Sequence, residues 1–267
     1  MVIYVKKIQK ITYILSLLTL VMFLVFIFVD NNSYLLSEES SENMNDNYYE
    51  DPLILYEEEY KMICSKVIPY IVMANVTIDD KKYEAEVIED KGNGTTYCVN
   101  IDNNIHWVDN YYVTILDIEE LVLEPLSDLE IELYVNYSKF ESITDYFIWV
   151  DLYRNETYIL KKKDGFFYMF NRLNCSTGAN ITPTKRGLFT ITKKGDYFYS
   201  RDNSYICYNF MQYSGSYLLH SFPYSLNGKV LDDRLNARVS NGCVRYSKED
   251  SKYIYDLIPI DTSIWIN

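Results

Sequence analysis

Short runs of alternating apolar and polar residues, each closed by a turn signal, recur through most of the chain after Tyr83, and that rhythm dictates a fold built mainly from strands. Tyr83-Glu84-Ala85-Glu86-Val87-Ile88 leads into Asp90-Lys91-Gly92-Asn93-Gly94, and Thr96-Tyr97-Cys98-Val99-Asn100-Ile101 leads into Asp102-Asn103-Asn104; both read as hairpins. Further on, Tyr146 to Leu152, the turn Arg154-Asn155-Glu156, and Thr157 to Leu160 read as strand, turn and strand. Phe166 to Asn174, Leu188 to Thr192 and Tyr197 to Ser200 continue the series, with Lys194-Gly195-Asp196 at a turn. The 28 tyrosines favour strands over helices. One late helix is expected: Ser247 is a cap residue, Glu249 and Asp250 suit a first turn, and Pro259 stops the helix after about Ile258. A last strand, Ser263 to Ile266, follows. The expected class is mostly β: a C-terminal β-sandwich or partly closed barrel with one or two short helices, preceded by a small β-rich domain and a transmembrane helix.

The order of segments follows from composition. Residues 1–10 are read as a cytoplasmic tail and 11–29 as a transmembrane anchor. Ile11 to Val29 is an uncharged run of 19 residues, and at about 1.5 Å per residue its helix would span roughly 28 Å, close to a bilayer's hydrocarbon thickness. Lys6, Lys7 and Lys10 precede the run, and no Lys or Arg follows until Lys61. The positive-inside rule then gives a single-pass protein with a cytoplasmic N-terminus and an extracytoplasmic folded part. A cleaved signal peptide is disfavoured, since residues 1–50 contain neither Ala nor Gly for a cleavage site. Residues 30–52, rich in Asn, Ser, Glu and Asp, read as an acidic solvated stalk.

Residues 53–125 read as the small β-rich domain. Its stretch Ile105-His106-Trp107-Val108 to Val113 resembles the closing strand of bacterial SH3-like barrels, with Ile105-His106 standing where a Gly would. His106 reads as a surface or half-buried strand residue, since no cluster of metal-ligating side chains surrounds it in the sequence. Residues 126–141 form a charged amphipathic connector, and 142–267 the second domain. The net charge of −13 argues against nucleic-acid binding. Five cysteines without C-x-x-C spacing suggest neither a zinc site nor a redox motif. Cys64, Cys98, Cys175 and Cys207 read mostly as buried thiols.

Chemistry concentrates in Ser240-Asn241-Gly242-Cys243-Val244-Arg245, where a cysteine follows a glycine and precedes a cation. A free thiol with a pKa of about 8.5 is mostly protonated at neutral pH, so a reactive one needs a base or cation beside it. His220, one of two histidines, is the nearest candidate base across a long loop. A lone cysteine near a glycine is more often a small buried hydrophobe, but other words change the balance. Ser176-Thr177-Gly178, then Thr182-Pro183 leading to Gly187-Leu188-Phe189, then His220-Ser221, then Ser240 to Arg245 occur in this order. This order resembles the L,D-transpeptidase (YkuD-type) catalytic domain, whose words are S-T-G, T-P-x-x-x-G-x-F, H-S or H-G, and S-H-G-C-[IV]-R. One departure is plain: the family's second histidine is Asn241 here. An amide cannot take a proton, which makes His220 the base the site has available.

The resemblance implies a cofactor-free enzyme that acts on peptidoglycan stem peptides. Cys243 would be the nucleophile and His220 the base. The Ser221 carbonyl would hold the imidazole tautomer, and N–H groups around Asn241, Gly242 and Cys243 would form an oxyanion hole, with Ser240 beside them. Arg245 is open to two readings, a carboxylate-binding residue or a salt-bridge partner. The product would be a 3→3 cross-link formed through a thioester. An L,D-carboxypeptidase, a non-catalytic wall-binding protein and a sortase are the alternatives; a sortase expects T-L-x-T-C and a longer His-to-Cys gap.

Overall fold

The computed structural model describes residues 52–267 apart from 92–93, 118–122 and 203, with side chains from Glu57 onward. The expected anchor (11–29), the tail before it and nearly all of the acidic stalk lie outside these residues. Among the described residues, no helix is long and apolar enough to cross a membrane. Residues Asp51–Asn267 form one compact unit.

The mostly β expectation holds, with helices added to it. After α1 (Pro52–Lys66), five strands form one sheet: β1 (Val72–Ile78), β2 (Lys81–Lys91), β3 (Thr96–Ile101), β4 (Asn104–Asp109) and β5 (Val113–Ile115), in the order β4-β3-β2-β1-β5. Asp79-Asp80 and Asp102-Asn103 carry positive φ at the two tightest turns, the backbone twist that a two-residue hairpin requires. A 3-10 turn, Asn110–Tyr112, capped by the Asp109 carboxylate, returns the chain to pair β5 with β1. β2 runs further than its alternation suggests, because Asp90 and Lys91 pair with Tyr97 and Thr96 beyond a bulge at Ile88.

The second half builds two larger sheets. One has the order β10-β17-β6-β7-β8, from β6 (Tyr146–Asp151), β7 (Glu156–Lys163), β8 (Phe166–Asn174), β10 (Gly187–Thr190) and β17 (Ser263–Ile266). The other has the order β11-β12-β13-β16, from β11 (Lys193–Tyr199), β12 (Tyr205–Ser214), β13 (Tyr217–Ser221) and β16 (Val244–Tyr246), with β14 (Tyr224–Ser225) on β12. A short parallel pair, β9 (Thr177–Gly178) and β15 (Arg238–Ser240), joins two of the sequence words. Each sheet runs from edge to edge, and none closes into a barrel.

The run Phe147 to Val150 has no alternation because both faces of its strand are covered, and all four residues are fully buried. On one face Phe147, Trp149, Tyr158 and Leu160 pack with Ile63 of α1, with Val67 just after it, and with Ile131 and Val135 of α2 (Asp128–Tyr137). On the other, Ile148, Val150 and Ile159 belong to a cluster that extends to Val72, Ala74, Val87 and Val99 of the first sheet and to Met211, Leu219 and Val244 of the third. The connector expected at 126–141 is largely α2, opened by a capping box in which Ser127 and Glu130 bond reciprocally. α3 (Lys248–Leu257) starts at the expected cap, Ser247.

Candidate active site

Two of the sequence words meet through the parallel pairing of β13 with β16, which sets His220 opposite Arg245 and Ser221 opposite Tyr246, and a third joins them where Ser176 bridges Arg245. Cys243 lies just before β16. Its sulfur contacts the Ser216 carbonyl at 3.7 Å and takes a hydrogen bond from the main-chain N–H of Leu218, which places it beside the start of β13. Leu218 and His220 share a face of that strand.

The imidazole is fixed. Nδ1 of His220 lies 2.6 Å from the Ser221 carbonyl, in a ring that is 4% exposed. A carbonyl only accepts, so Nδ1 carries the proton and Nε2 keeps its lone pair. Phe198 packs edge-on against the ring, 5.2 Å between centroids. Burial first, and then the Arg245 charge, push His220 down to about 3, so it is a neutral base at physiological pH.

The cysteine loop is tightly stitched. Ser240 Oγ donates to the Cys243 carbonyl at 2.5 Å and accepts from the Gly242 N–H at 3.1 Å. Gly242 therefore does not offer that donor to an oxyanion while the bond lasts, a departure from the expected hole. Its φ of +97° suits glycine, and an added Cβ would meet the Tyr217 ring at 2.7 Å and the Pro183 carbonyl at 3.3 Å. Asn241 is exposed. Thr182 donates to the Ser240 carbonyl and Thr184 accepts from the Gly178 N–H, each at 2.8 Å, so the Thr-Pro-Thr word ties the S-T-G word to the cysteine word. Gly178 is confined in the same way: a Cβ there would lie 2.3 Å from the Thr182 carbonyl oxygen.

Arg245 resolves toward an ion pair. Its Nη1 faces Asp232 of the long His-to-Cys loop at 3.4 Å, while its buried Nε has no hydrogen-bond partner. Asp232 is also held by Arg234 at 2.8 Å, which with Arg245 keeps its carboxyl below the usual range. The sequence did not single out Asp232, Ser216 or Tyr217; each reaches the site through tertiary contact alone.

Desolvation pushes the Cys243 thiol up to about 11, against the smaller pull of the Leu218 N–H and Arg245. Desolvation thus favours the neutral form of the half-buried thiol as well as of the buried imidazole. Alkylation of Cys243 by iodoacetamide should keep rising with pH beyond about 9. A plateau reached near pH 7 would show a preformed ion pair.

All five cysteines are free, and Cys98, Cys175 and Cys207 are buried. Among the described residues, no group of three or more His, Cys, Asp or Glu side chains could hold a metal. His106 lies in a groove with Asp79, Trp107 and Tyr112, away from the cysteine site's lining.

Comparison with known proteins places these features. Residues 145–266 match the family model YkuD, described as the L,D-transpeptidase catalytic domain. A curated Bacillus subtilis (strain 168) protein, the candidate L,D-transpeptidase YciB, is 26% identical over 131 residues, which is 45% of this chain and 66% of that protein. A solved protein of Clostridium acetobutylicum, titled a fused Zn-dependent amidase/peptidase/peptidoglycan-binding domain-containing protein, is 33% identical over 52% of this chain and 59% of its own, with a TM-score of 0.45. An L,D-transpeptidase of Stackebrandtia nassauensis is 18% identical over 52% of this chain and 64% of its own, with a TM-score of 0.39. The chain thus spans slightly less than two thirds of the length of each relative. The family model of L,D-transpeptidase catalytic domains thus matches the same stretch, residues 145–266, that carries the ordered words.

Proposed function

We propose that this chain is a cysteine-dependent L,D-transpeptidase acting on peptidoglycan stem peptides. The observation that carries the reading is the His220 Nδ1 to Ser221 carbonyl bond, which leaves Nε2 as a neutral, buried base two residues along β13 from the backbone that holds the Cys243 sulfur. Substrate binding would complete what the resting site lacks. As the sulfur attacks the carbonyl of the stem's third residue, Nε2 takes the thiol proton, so charge separation is confined to the step that needs it. The main-chain N–H groups of Cys243 and Asn241 are the donors proposed for the developing oxyanion. Collapse expels the terminal D-alanine, whose amine takes the proton from the imidazolium, and leaves a thioester on Cys243. A second stem's side-chain amine then attacks, regenerating the thiol and giving a 3→3 cross-link. Water in place of that amine would make the same residues an L,D-carboxypeptidase.

The proposal extends to the surroundings. The apolar run 11–29 is taken as a single-pass anchor with a cytoplasmic N-terminus, and the acidic segment after it as a stalk holding the folded part at the wall. The meander of β1 to β4, closed by a 3-10 turn and by β5 on β1, supports the SH3-like reading of the first sheet.

The test is mass spectrometry of muropeptides incubated with the protein. Dimers cross-linked between third residues, with release of D-alanine, are expected. Tripeptides alone would establish the carboxypeptidase, and unchanged muropeptides would contradict both.

A further inference from the structure

β2 of the first sheet ends against the cysteine site. The main chain of Asp90 both donates to and accepts from the Tyr217 hydroxyl, at 3.2 Å each way. At the same register position on β3, the Tyr97 hydroxyl donates to the Ile181 carbonyl at 2.8 Å. Glu89 pairs with Lys185 at 2.9 Å, and Glu86 pairs with Arg186. These contacts fall on the residues flanking Thr182-Pro183-Thr184 and on the first residue of β13.

Tyr217 stands out among them. It is 5% exposed, and its ring fills the space a side chain on Gly242 would need. Its chain neighbours bracket the sulfur, with the Ser216 carbonyl on one side and the Leu218 N–H on the other. Ser216 lies in the exposed β12–β13 turn, beside Gly215 at φ +53°. A turn tip gains little from its own packing, so what fixes it must come from outside.

We infer that Tyr217 is a positioning residue for the acyl-transfer reaction, and that the first sheet acts on Cys243 through it. Asp90 pins the phenol, the pinned ring backs Gly242, and residues 216–218 are held where their carbonyl and N–H meet the sulfur. The Asp90 main chain is then the point at which the first sheet bears on the nucleophile. This rests on the acyl-transfer reading, and the test separates the two.

Tyr217→Phe in the full chain removes one oxygen and keeps the ring; Tyr217→Leu removes the ring as well. Glu89→Gln cuts the Lys185 pair across the same contact without touching residues 216–218. Two readouts are needed: steady-state kinetics on a tetrapeptide stem, and the rate of Cys243 alkylation against pH, which requires no turnover. For Y217F, kcat should fall about tenfold with KM changed less than about twofold, the size expected when one buried hydrogen bond is lost from the reacting geometry. Its alkylation profile should move to higher pH as the Leu218 N–H slackens. Y217L should lose more on both counts, and E89Q should match the parent. Y217F with parental kcat and alkylation profile overturns the inference, as does an E89Q variant impaired as much as Y217F. If the parent itself turns over no stem peptide, the functional reading fails, and the alkylation profiles still decide whether Tyr217 positions the sulfur.

Discussion

Cys243→Ala is expected to abolish cross-linking and thioester formation outright while leaving the protein folded. The proposed mechanism gives the acyl group to the sulfur, and two serine hydroxyls of the site are engaged elsewhere: Ser240 Oγ with the Cys243 carbonyl and Ser221 Oγ with the Phe222 carbonyl. The structural loss is small, since the residue is half-buried and its contact with the Ser216 carbonyl is long, at 3.7 Å. Cys175→Ala and Cys207→Ala should behave in the opposite way. They are 0% and 1% exposed, and replacing either should destabilise by about 1 kcal/mol, lowering Tm by roughly 2–4 °C, with turnover kept. Thermal melts and muropeptide assays on the three variants check this contrast.

His220→Ala should slow acylation by about two to four orders of magnitude, the range expected for a general base. The structure adds a reason for the upper part of that range. The thiol is pushed up to about 11 in the resting site, so little thiolate exists at neutral pH without a base to draw off the proton. The pH dependence follows from His220 as well. Its pKa is lowered on folding to about 3, so the folded form binds that proton less readily than the unfolded chain does, and the stability it contributes is present above about 6.5 and drains away as pH falls toward 3. In H220A this acid-dependent component should disappear, visible as a flatter Tm between pH 6.5 and 4. An acylation rate within tenfold of the parent would remove His220 from the mechanism.

Much of the fold was legible where local chemistry and tertiary context agree. The strands Tyr146 to Leu152 and Thr157 to Leu160, the cap at Ser247 and the strand Ser263 to Ile266 are marked by the turn and cap residues beside them, and the structure has strands and a helix start there, the second strand running on to Lys163. α2 was hidden by its own pattern: Asp128-Leu129-Glu130-Ile131-Glu132-Leu133 alternates like a strand, and only the Ser127 and Glu130 pair marks a helix start. α1 opens on Pro52, a residue suited to the first helical position, but its charged Glu57-Glu58-Glu59 run gives no clean apolar stripe. The site divides in the same way. The words around Cys243 and His220 and the Ser221 carbonyl contact could be anticipated, since the latter joins adjacent residues. The grip of Asp90 on Tyr217 and of Asp232 on Arg245 spans distant segments and could not. Sequence shows the cation at Arg245 but neither the desolvation of the thiol nor the Asp232 partner that competes for that cation.

The most direct test of the central claim is to identify the atom that carries the acyl group. The protein is incubated with a carbapenem or a tetrapeptide stem donor, quenched in acid, digested and sequenced by tandem mass spectrometry. The account predicts one adduct per chain, on the peptide containing Cys243, absent from C243A and formed at least about a hundredfold more slowly in H220A. An adduct on Cys64, Cys98, Cys175 or Cys207 in the folded protein, or cross-linking that persists in C243A, would contradict it.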